Sequence, residues 1–288
     1  MNYVLTGQDG LIGTYLKKEL DKNNKCIMSI DQRSGINILS LDGIKLNPKT
    51  QHTDILFNTA AHCKINEGIQ YPELPHINNC DGVHKVLEFC RRNNIKKIVN
   101  FSSSRVLSKE ENTYTASKKY VENLTKAYYD CYGLEYIIVR PSTVYGPYKD
   151  ITSRLMTDWC QNALENKELK IYGNENKTLD FTYVTDFVDG TMLLVNQWDK
   201  TKNQEYNISG EEEVNLTYLA NLITKESNSK SKIKYYPPEI AQPQNVKVDI
   251  SKMKELGYLP KVKIEQGVKK MVKWYFNNYY KEKLRWSI

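Results

Sequence analysis

Two residues with acid–base chemistry stand four positions apart near the middle of this 288-residue chain. Tyr114 and Lys118 form a Tyr-x-x-x-Lys pattern at the start of a predicted helix, and this spacing puts both side chains on one helix face. An ammonium group beside a phenol lowers the tyrosine pKa from its usual value of about 10, which makes Tyr114 usable as a general base and acid. The alternative is an ordinary surface pair, because the chain contains 21 tyrosines.

A run of serines supplies a partner for this pattern. Ser102, Ser103 and Ser104 stand at the end of a strand predicted at 97–102. Ligands of a parallel sheet bind beyond the carboxyl ends of its strands, and a hydroxyl there can hydrogen-bond a reacting oxygen. We therefore expect one serine of this run to work with Tyr114 and Lys118.

A glycine-rich turn near the N-terminus predicts a dinucleotide site. It follows a strand predicted at 3–6 and opens a helix predicted at 11–22. The residues of the turn are Gly7, Gln8, Asp9, Gly10, Leu11, Ile12 and Gly13. Glycines allow a tight turn and close approach of the backbone to a pyrophosphate, and the helix N-terminus offers free N–H groups and a positive dipole end.

The second predicted strand, 25–31, ends in Asp31, eighteen residues after Gly13. A carboxylate there accepts hydrogen bonds from the adenosine ribose and repels a 2′-phosphate, so NAD is predicted in preference to NADP. Gln32 and Arg33 adjoin it as further cofactor-binding candidates, and Arg33 keeps NADP as the less favoured alternative. A strand-end cap is the structural alternative for Asp31.

Strands and helices alternate through the first half of the chain, with further strands predicted at 55–58 and 136–140 and helices at 79–93 and 115–132. This alternation predicts an α/β fold, a Rossmann-type doubly wound parallel sheet. After Pro141 the pattern becomes irregular, which predicts a smaller C-terminal α+β substrate-binding lobe. We place the NAD-binding Rossmann domain at 1–165, with 180–200 returning to it, and the substrate-binding lobe at 166–288.

Composition excludes several other classes. The net charge is +7, but the lysines are spread along the chain without a nucleic-acid motif, so we expect an anionic small substrate and no nucleic-acid partner. No apolar run approaches the roughly eighteen residues that span a bilayer. Met1 leads directly into a strand, so we expect no membrane partner and a cytoplasmic location. The six cysteines lack CxxC spacing, which predicts reduced thiols and no metal site.

Together these patterns resemble the extended short-chain dehydrogenase/reductases, the group of NAD-dependent sugar-nucleotide epimerases and dehydratases. The resemblance is also carried by segments 58–61, 79–82, 101–104, 140–147, 180–186 and 256–260. It implies that Tyr114 exchanges a proton with a sugar hydroxyl while hydride passes to NAD, and that Lys118 holds the ribose and tunes Tyr114. Ser103, three residues before Val106, is implied as the third catalytic residue, with Ser104 in reserve.

Further roles are implied by the same resemblance. The additional cofactor contacts are Ala60, Ala61, Asn79, Arg140 and Pro141. The expected substrate contacts are His62, Ser104, Thr143, Lys177 and Gln242, although a single histidine such as His62 is more often structural. A homodimer through the helices that begin near residues 79 and 115 is implied as well.

The residues after Ser103 discriminate between reactions within the family. Dehydratases carry an Asp-Glu pair directly after the catalytic threonine, and decarboxylases keep a glutamate in the place held by Arg105; this chain has Ser104-Arg105. The predicted function is therefore an NAD-dependent sugar-nucleotide epimerase that acts at C4 of a nucleoside diphosphate sugar through a transient keto intermediate. The alternatives are an NAD(P)-dependent dehydrogenase or reductase of a keto-sugar or small carbonyl compound, and a non-catalytic dinucleotide-binding protein.

The substrate-phosphate end departs further from the family. Leu179 and Gln242 stand where arginines are usual, and Thr143 stands where asparagine is usual. Arginine makes bidentate phosphate contacts that leucine cannot make and glutamine replaces only weakly. The segment from Ser103 to Tyr114 is also short, at eleven residues. The basic residues that could compensate, or that are only solvated surface charges, are Lys149, Arg154, Lys177 and Lys247.

Overall fold

A computed structural model of the chain describes residues 1–148 and 154–280. Within these ranges the strands are β1 (Asn2–Thr6), β2 (Lys25–Ile30), β3 (Ile55–Asn58), β4 (Lys97–Phe101), β5 (Glu135–Pro141), β6 (Thr143–Tyr145), β7 (Leu169–Tyr172), β8 (Thr178–Tyr183), β9 (Gln204–Ile208), β10 (Glu212–Asn215) and β11 (Ile233–Tyr236). The candidate Lys149 lies outside the described residues.

The α-helices in the same ranges are α1 (Leu11–Leu20), α2 (Ile65–Gln70), α3 (Glu73–Pro75), α4 (Gly82–Arg92), α5 (Thr113–Tyr132), α6 (Leu155–Leu164), α7 (Val184–Asn196), α8 (Trp198–Thr201), α9 (Leu216–Glu226), α10 (Ser251–Glu255) and α11 (Ile264–Tyr275). A π-helical segment, His76–Asp81, precedes α4 directly, so the helix predicted at 79–93 begins in π geometry. None of these described helices is both long enough and apolar enough to cross a membrane.

Six strands form one sheet in the order β2-β1-β3-β4-β5-β9, and every neighbouring pair is parallel. The β3 strand is buried at all four positions, as expected for a strand with both faces covered. Apolar side chains of α4 and α5, such as Val83, Leu87 and Val121, share a core cluster with Leu56 and Ile98 of the sheet. The predicted α/β class with a doubly wound parallel sheet is therefore confirmed.

The chain divides into two compact units. The first comprises 1–141, 188–208 and 250–258, and the second comprises 142–187, 209–249 and the chain from 259 onward. The second unit holds a three-stranded sheet, β10-β8-β6, and the parallel pair β11-β7. The predicted ranges were 1–165, with 180–200 returning to it, and 166–288; the first unit likewise has a returning segment, at 188–208, but its first segment ends at 141. The physical reason is that Met156, Trp159 and Ala163 of α6 pack into the apolar core of the second unit.

Candidate functional site

The glycine turn after β1 leaves no room for side chains. Gly7 has a positive φ of 70°, and a Cβ on Gly13 would lie 2.0 Å from the Gly7 carbonyl oxygen. Gly10 caps α1 without a side-chain hydrogen bond, and the first turn, which begins with Leu11 and Ile12, contains no acidic residue. Its N–H groups and its positive dipole end therefore suit an anion, and this cradle fits the diphosphate of a dinucleotide.

Asp31 lies at the end of β2 and faces the same turn. Its carboxylate accepts hydrogen bonds from the backbone N–H of Asp9 at 3.1 Å and of Arg33 at 2.9 Å, and the Arg33 Nε lies 3.2 Å away. Burial acts to raise the pKa of Asp31, but these hydrogen bonds hold it below its usual value. Asp31 is thus an ionised acceptor, while the exposed Gln32 follows it. Gln8 donates to Ser34 Oγ at 3.1 Å and so joins the two loops.

A buried chain of polar side chains runs beneath this edge of the sheet. Thr6 Oγ1 donates to Asn58 Oδ1 at 2.6 Å, and Asn58 Nδ2 donates to Asn100 Oδ1 at 2.9 Å. Asn100 Nδ2 then donates to Thr125 Oγ1 of α5 at 2.7 Å. Because a buried amide without partners is costly, this chain specifies the alignment of β1, β3, β4 and α5. Sequence reasoning missed it, although Asn100 within an apolar strand was a visible signal.

The structure brings Ser103, Tyr114 and Lys118 together. Their exposed fractions are 6%, 8% and 4%, respectively. The Ser103 hydroxyl lies near the Tyr114 phenol and acts to lower the pKa of that phenol, and Lys118 Nζ lies 6.0 Å from the centre of the Tyr114 ring. Lys118 Nζ also donates to the Phe101 carbonyl oxygen at 2.9 Å, at the end of β4. Ser104 is buried as well and begins a short 3₁₀ turn. These contacts exclude the alternative of an exposed surface pair.

Burial dominates the electrostatics of this cluster. It raises the pKa of Tyr114 to about 12, against the hydrogen bond from Ser103 and the charge of Arg105, which act to lower it. It lowers the pKa of Lys118 to about 8, against the opposing effects of Cys63, Glu122 and Cys80. Without a cofactor the pKa of Tyr114 is therefore raised, because desolvation disfavours the phenolate more than nearby groups favour it. A lowered pKa of Tyr114 with the positive nicotinamide ring of NAD⁺ bound stays a prediction.

The loop after β3 is tied to α5 through Asn79 of the π-helical segment. Asn79 Oδ1 accepts from the His62 N–H at 2.8 Å, and its Nδ2 donates to the His62 carbonyl at 3.1 Å and to Ser117 Oγ at 2.8 Å. The Ser117 hydroxyl donates to the Tyr114 carbonyl at 2.7 Å. The His62 ring contacts the Lys64 carbonyl at 3.0 Å. Asn79 therefore aligns the loop that contains Ala60 and Ala61, and direct contacts of these residues with a cofactor stay predictions.

The guanidinium of Arg140 forms an ion pair with Glu122, a residue that was not predicted from the sequence. Arg140 donates to both carboxylate oxygens of Glu122, from Nε at 2.8 Å and from Nη2 at 2.6 Å. A contact between Arg140 or Pro141 and a cofactor stays a prediction. The signal for Glu122 was its place four residues after Lys118, on the same face of α5.

The second unit contains several of the predicted substrate contacts. Lys177 is buried, and its Nζ donates to the Tyr172 carbonyl at 2.5 Å and lies 3.4 Å from the Glu239 carboxylate. Leu179 belongs to the apolar core, and Thr143 and Gln242 are half-buried. Arg154 caps α6 and Lys247 is exposed. Among the described residues, no group of three or more histidine, cysteine or acidic side chains is placed to hold a metal ion.

Comparison with known proteins identifies a family that this chain matches. The sequence profile of the NAD dependent epimerase/dehydratase family matches residues 3–209. The chain is 26% identical to a putative UDP-glucose 4-epimerase of Methanocaldococcus jannaschii, over 96% of this chain and 98% of that protein. It is 25% identical to the UDP-glucuronate 4-epimerase of Thermodesulfobacterium geofontis, over 94% and 95%.

Solved structures share the fold along almost the whole chain. The UDP-glucuronic acid 4-epimerase of Bacillus cereus, in complex with UDP-glucuronic acid and NAD, superposes with a TM-score of 0.87. The match covers 97% of this chain and 100% of that one, at 23% identity. At 23% identity, this structural similarity establishes a shared fold and nothing about the substrate.

Proposed function

Because this chain belongs to the NAD dependent epimerase/dehydratase family and is an NAD-dependent enzyme, we propose that it is a UDP-sugar 4-epimerase. The observation that carries the proposal is the buried set of Ser103, Tyr114 and Lys118, in which Ser103 acts on the Tyr114 phenol and Lys118 is bonded to the end of β4. Ser104 and Arg105 follow Ser103, so the acidic residues that would support dehydration or decarboxylation are absent from these positions. The 4-epimerase relatives support the choice of C4 and of a uridine nucleotide.

The proposed chemistry needs one proton acceptor and one hydride acceptor. When bound on the first unit, NAD⁺ would supply the hydride acceptor and a positive charge. Tyr114 would take the proton of the C4 hydroxyl as the C4–H bond breaks and hydride leaves for the cofactor. After the keto-sugar has turned over, Tyr114 would return this proton to the same oxygen as the hydride comes back to the opposite face of C4. No proton or hydride is lost in the complete cycle, so the reaction inverts C4 without net oxidation.

Ser103 and Lys118 prepare Tyr114 for this role. Ser103 acts to lower the pKa of the phenol, and in the proposal it also orients the substrate oxygen that reacts. Lys118 in its ammonium form favours the phenolate that arises when Tyr114 gives up its proton. Burial of all three residues excludes water, which strengthens each of these interactions.

The cofactor site is proposed on the residues of the first unit. Gly7, Gly10 and Gly13 approach the diphosphate, the N-terminus of α1 binds it, and Asp31 accepts from the adenosine ribose. The crowded Cβ positions of the glycines and the low pKa of Asp31 support these roles. The same carboxylate would repel a 2′-phosphate, which supports NAD over NADP.

The proposed substrate contacts are His62, Ser104, Thr143, Lys177 and Gln242. Lys177 already donates to a carbonyl and lies beside the Glu239 carboxylate. It therefore neutralises less of the negative charge of a diphosphate than an arginine directed at the phosphates would. We therefore propose a nucleotide-sugar site that is held more by uncharged hydrogen bonds than by a cationic clamp.

We also propose that the enzyme works in the cytoplasm as a homodimer. Six free cysteines suit a reducing compartment. Tyr120 and Tyr132 of α5 are 44% and 54% exposed, which supports this helix as part of a subunit contact. Light scattering of the purified protein tests the dimer, and a monomeric mass at all concentrations would reject it.

The deciding experiment is turnover of UDP-glucose, UDP-glucuronate and UDP-N-acetylglucosamine by the purified enzyme, with the products separated by chromatography. An epimerase interconverts a pair of C4 epimers without a net change in NADH absorbance. A stoichiometric change in NADH absorbance would instead support a dehydrogenase or reductase. The absence of any conversion with NAD bound would support a non-catalytic dinucleotide-binding protein.

A further inference from the structure

Glu122 is a buried carboxylate that the proposed chemistry does not use. It is 5% exposed, and its oxygens accept hydrogen bonds from Ser102 Oγ at 2.6 Å and from Arg140 at 2.8 and 2.6 Å. A buried ion pair carries a desolvation cost that apolar side chains of similar volume avoid, so it is a weak stabilising device. The place of Glu122 in the fold indicates another role.

Glu122 lies one helical turn after Lys118 on α5, and both residues contact the end of β4. Lys118 binds the carbonyl of Phe101, and Glu122 binds the hydroxyl of the next residue, Ser102. Two successive turns of α5 are therefore attached to two successive residues of the segment that leads into Ser103. Ser102 is further fixed because its N–H donates to a β5 carbonyl at 2.8 Å, and Arg140 attaches Glu122 to the same strand.

We propose that Glu122 is a positioning residue for the epimerase reaction: by binding Ser102 and Arg140, it fixes α5 against β4 and β5. The spacing between Ser103 on one element and Tyr114 and Lys118 on the other then depends on this carboxylate. The inference rests on the proposed function of these three residues. A misplacement of about 1 Å between reacting groups can lower the rate roughly a hundredfold. Loss of the contacts of Glu122 should therefore lower kcat.

The charge of Glu122 acts on Lys118 as well. Burial lowers the pKa of Lys118 to about 8, and the charge of Glu122 opposes this effect together with Cys63 of the loop after β3 and Cys80 of the π-helical segment. The Tyr114 ring also faces Lys118, with its centre 6.0 Å from Nζ. Removing the negative charge while Arg140 keeps its positive charge therefore lowers the pKa of Lys118 further, which a purely structural contact would not do.

The test compares Glu122→Gln with Glu205→Gln. Glu205 forms an ion pair with Lys126, one turn beyond Glu122 on α5, so its variant breaks a neighbouring helix–sheet pair and leaves the Ser102 contact in place. We measure turnover of UDP-sugars by the NAD-bound enzyme against pH. The titration of Lys118 is followed by NMR of ¹³C-lysine-labelled protein and assigned with Lys118→Arg.

For Glu122→Gln we expect kcat to fall roughly ten- to a hundredfold with a smaller change in KM. The alkaline limb of the rate and the Lys118 titration both move to lower pH, and Glu205→Gln changes neither. A Glu122→Gln enzyme with the kcat and the Lys118 titration of the wild type overturns the proposal. The titration needs no substrate, so it tests the coupling of Glu122 to Lys118 even if the wild type converts no UDP-sugar, a result that would refute the proposed function alone.

Two further variants separate positioning from stability. Glu122→Met combined with Arg140→Met replaces the pair by apolar side chains, and we expect it to restore thermal stability but not kcat. Full recovery of kcat in this double variant overturns the proposal. If Glu122→Gln does not fold, Ser102→Ala decides, because it removes one hydrogen bond and keeps the ion pair. A several-fold loss of kcat supports the proposal, and an unchanged kcat overturns it.

Discussion

The first unit contains the complete set of side chains for its proposed catalytic role, whereas the second unit lacks the arginines that usually bind the substrate diphosphate. In the first unit Ser103, Tyr114 and Lys118 are buried and linked through the end of β4. In the second unit Leu179 lies in the apolar core, and Lys177 is engaged by a carbonyl and a carboxylate. Hydride chemistry depends on a fixed set of groups at one carbon, whereas binding of a nucleotide diphosphate can be divided among many weaker contacts. Substitutions in the two units should therefore affect different kinetic constants.

The largest effect is expected at Tyr114. Tyr114→Phe removes the hydroxyl that carries the proton, so kcat should fall roughly 10²- to 10⁴-fold, the usual contribution of general acid–base catalysis. The buried ring remains, so folding and NAD content should stay close to those of the wild type. Turnover and the NAD released on denaturation measure the two properties. Wild-type turnover of Tyr114→Phe would show that Tyr114 does not carry the proton. It would also contradict the claim that the first unit contains the complete catalytic set.

The second-largest effect is expected for Gly13→Ala, which should weaken cofactor binding. The Cβ of Gly13→Ala would lie 2.0 Å from the Gly7 carbonyl, so the turn must shift. Overpacking of this kind costs about 1–3 kcal/mol, and here it falls on the segment proposed to bind the diphosphate. We expect a lower melting temperature and loss of bound NAD, measured by thermal unfolding and by absorbance of the released cofactor. Gly133→Ala is the matched control outside the site, because nothing lies within 4 Å of its Cβ, although its positive φ of 68° adds local strain.

The pH dependence of the rate reports on Lys118. Its pKa is lowered to about 8 by burial, so the ammonium form predominates below that value and is lost as the pH rises through it. Because the ammonium favours the phenolate of Tyr114, kcat/KM should fall on the alkaline side of about 8. Lys118→Arg keeps the positive charge throughout this range, so a retained alkaline limb in that variant would assign the limb to another group.

The smallest effect is expected in the second unit. Gln242→Arg restores an arginine where the family usually has one, and a charge-assisted hydrogen bond is worth about 1.5–3 kcal/mol. We expect KM for a UDP-sugar to fall about tenfold or more with kcat unchanged. Lys269→Gln, at an exposed position of α11, is the control and should change neither constant. A change in kcat for Gln242→Arg would contradict the division of labour between the units.

Much of the fold followed from local pattern. The observed β3 spans the predicted 55–58, and α5 at Thr113–Tyr132 contains the predicted helix at 115–132. Alternating apolar strands and amphipathic helices encode these elements because burial on both sides of a sheet requires them. The change of pattern after Pro141 was visible in the sequence, but residues 142–165 were assigned to the first domain. Their place in the second unit depends on which core the side chains of α6 join, and local periodicity carries no information on that choice.

The sequence by itself determined the chemistry that is available: a tyrosine and a lysine on one helix face, serines at a strand end, glycines in a turn and an aspartate after the second strand. Only the tertiary structure decided how these groups are held and charged. It buried Tyr114 and Lys118, which moved their pKa values in opposite directions, and it set Glu122 between Ser102 and Arg140. Desolvation and pairing depend on contacts between segments distant in the chain, so they arise only when the sheet and its helices come together.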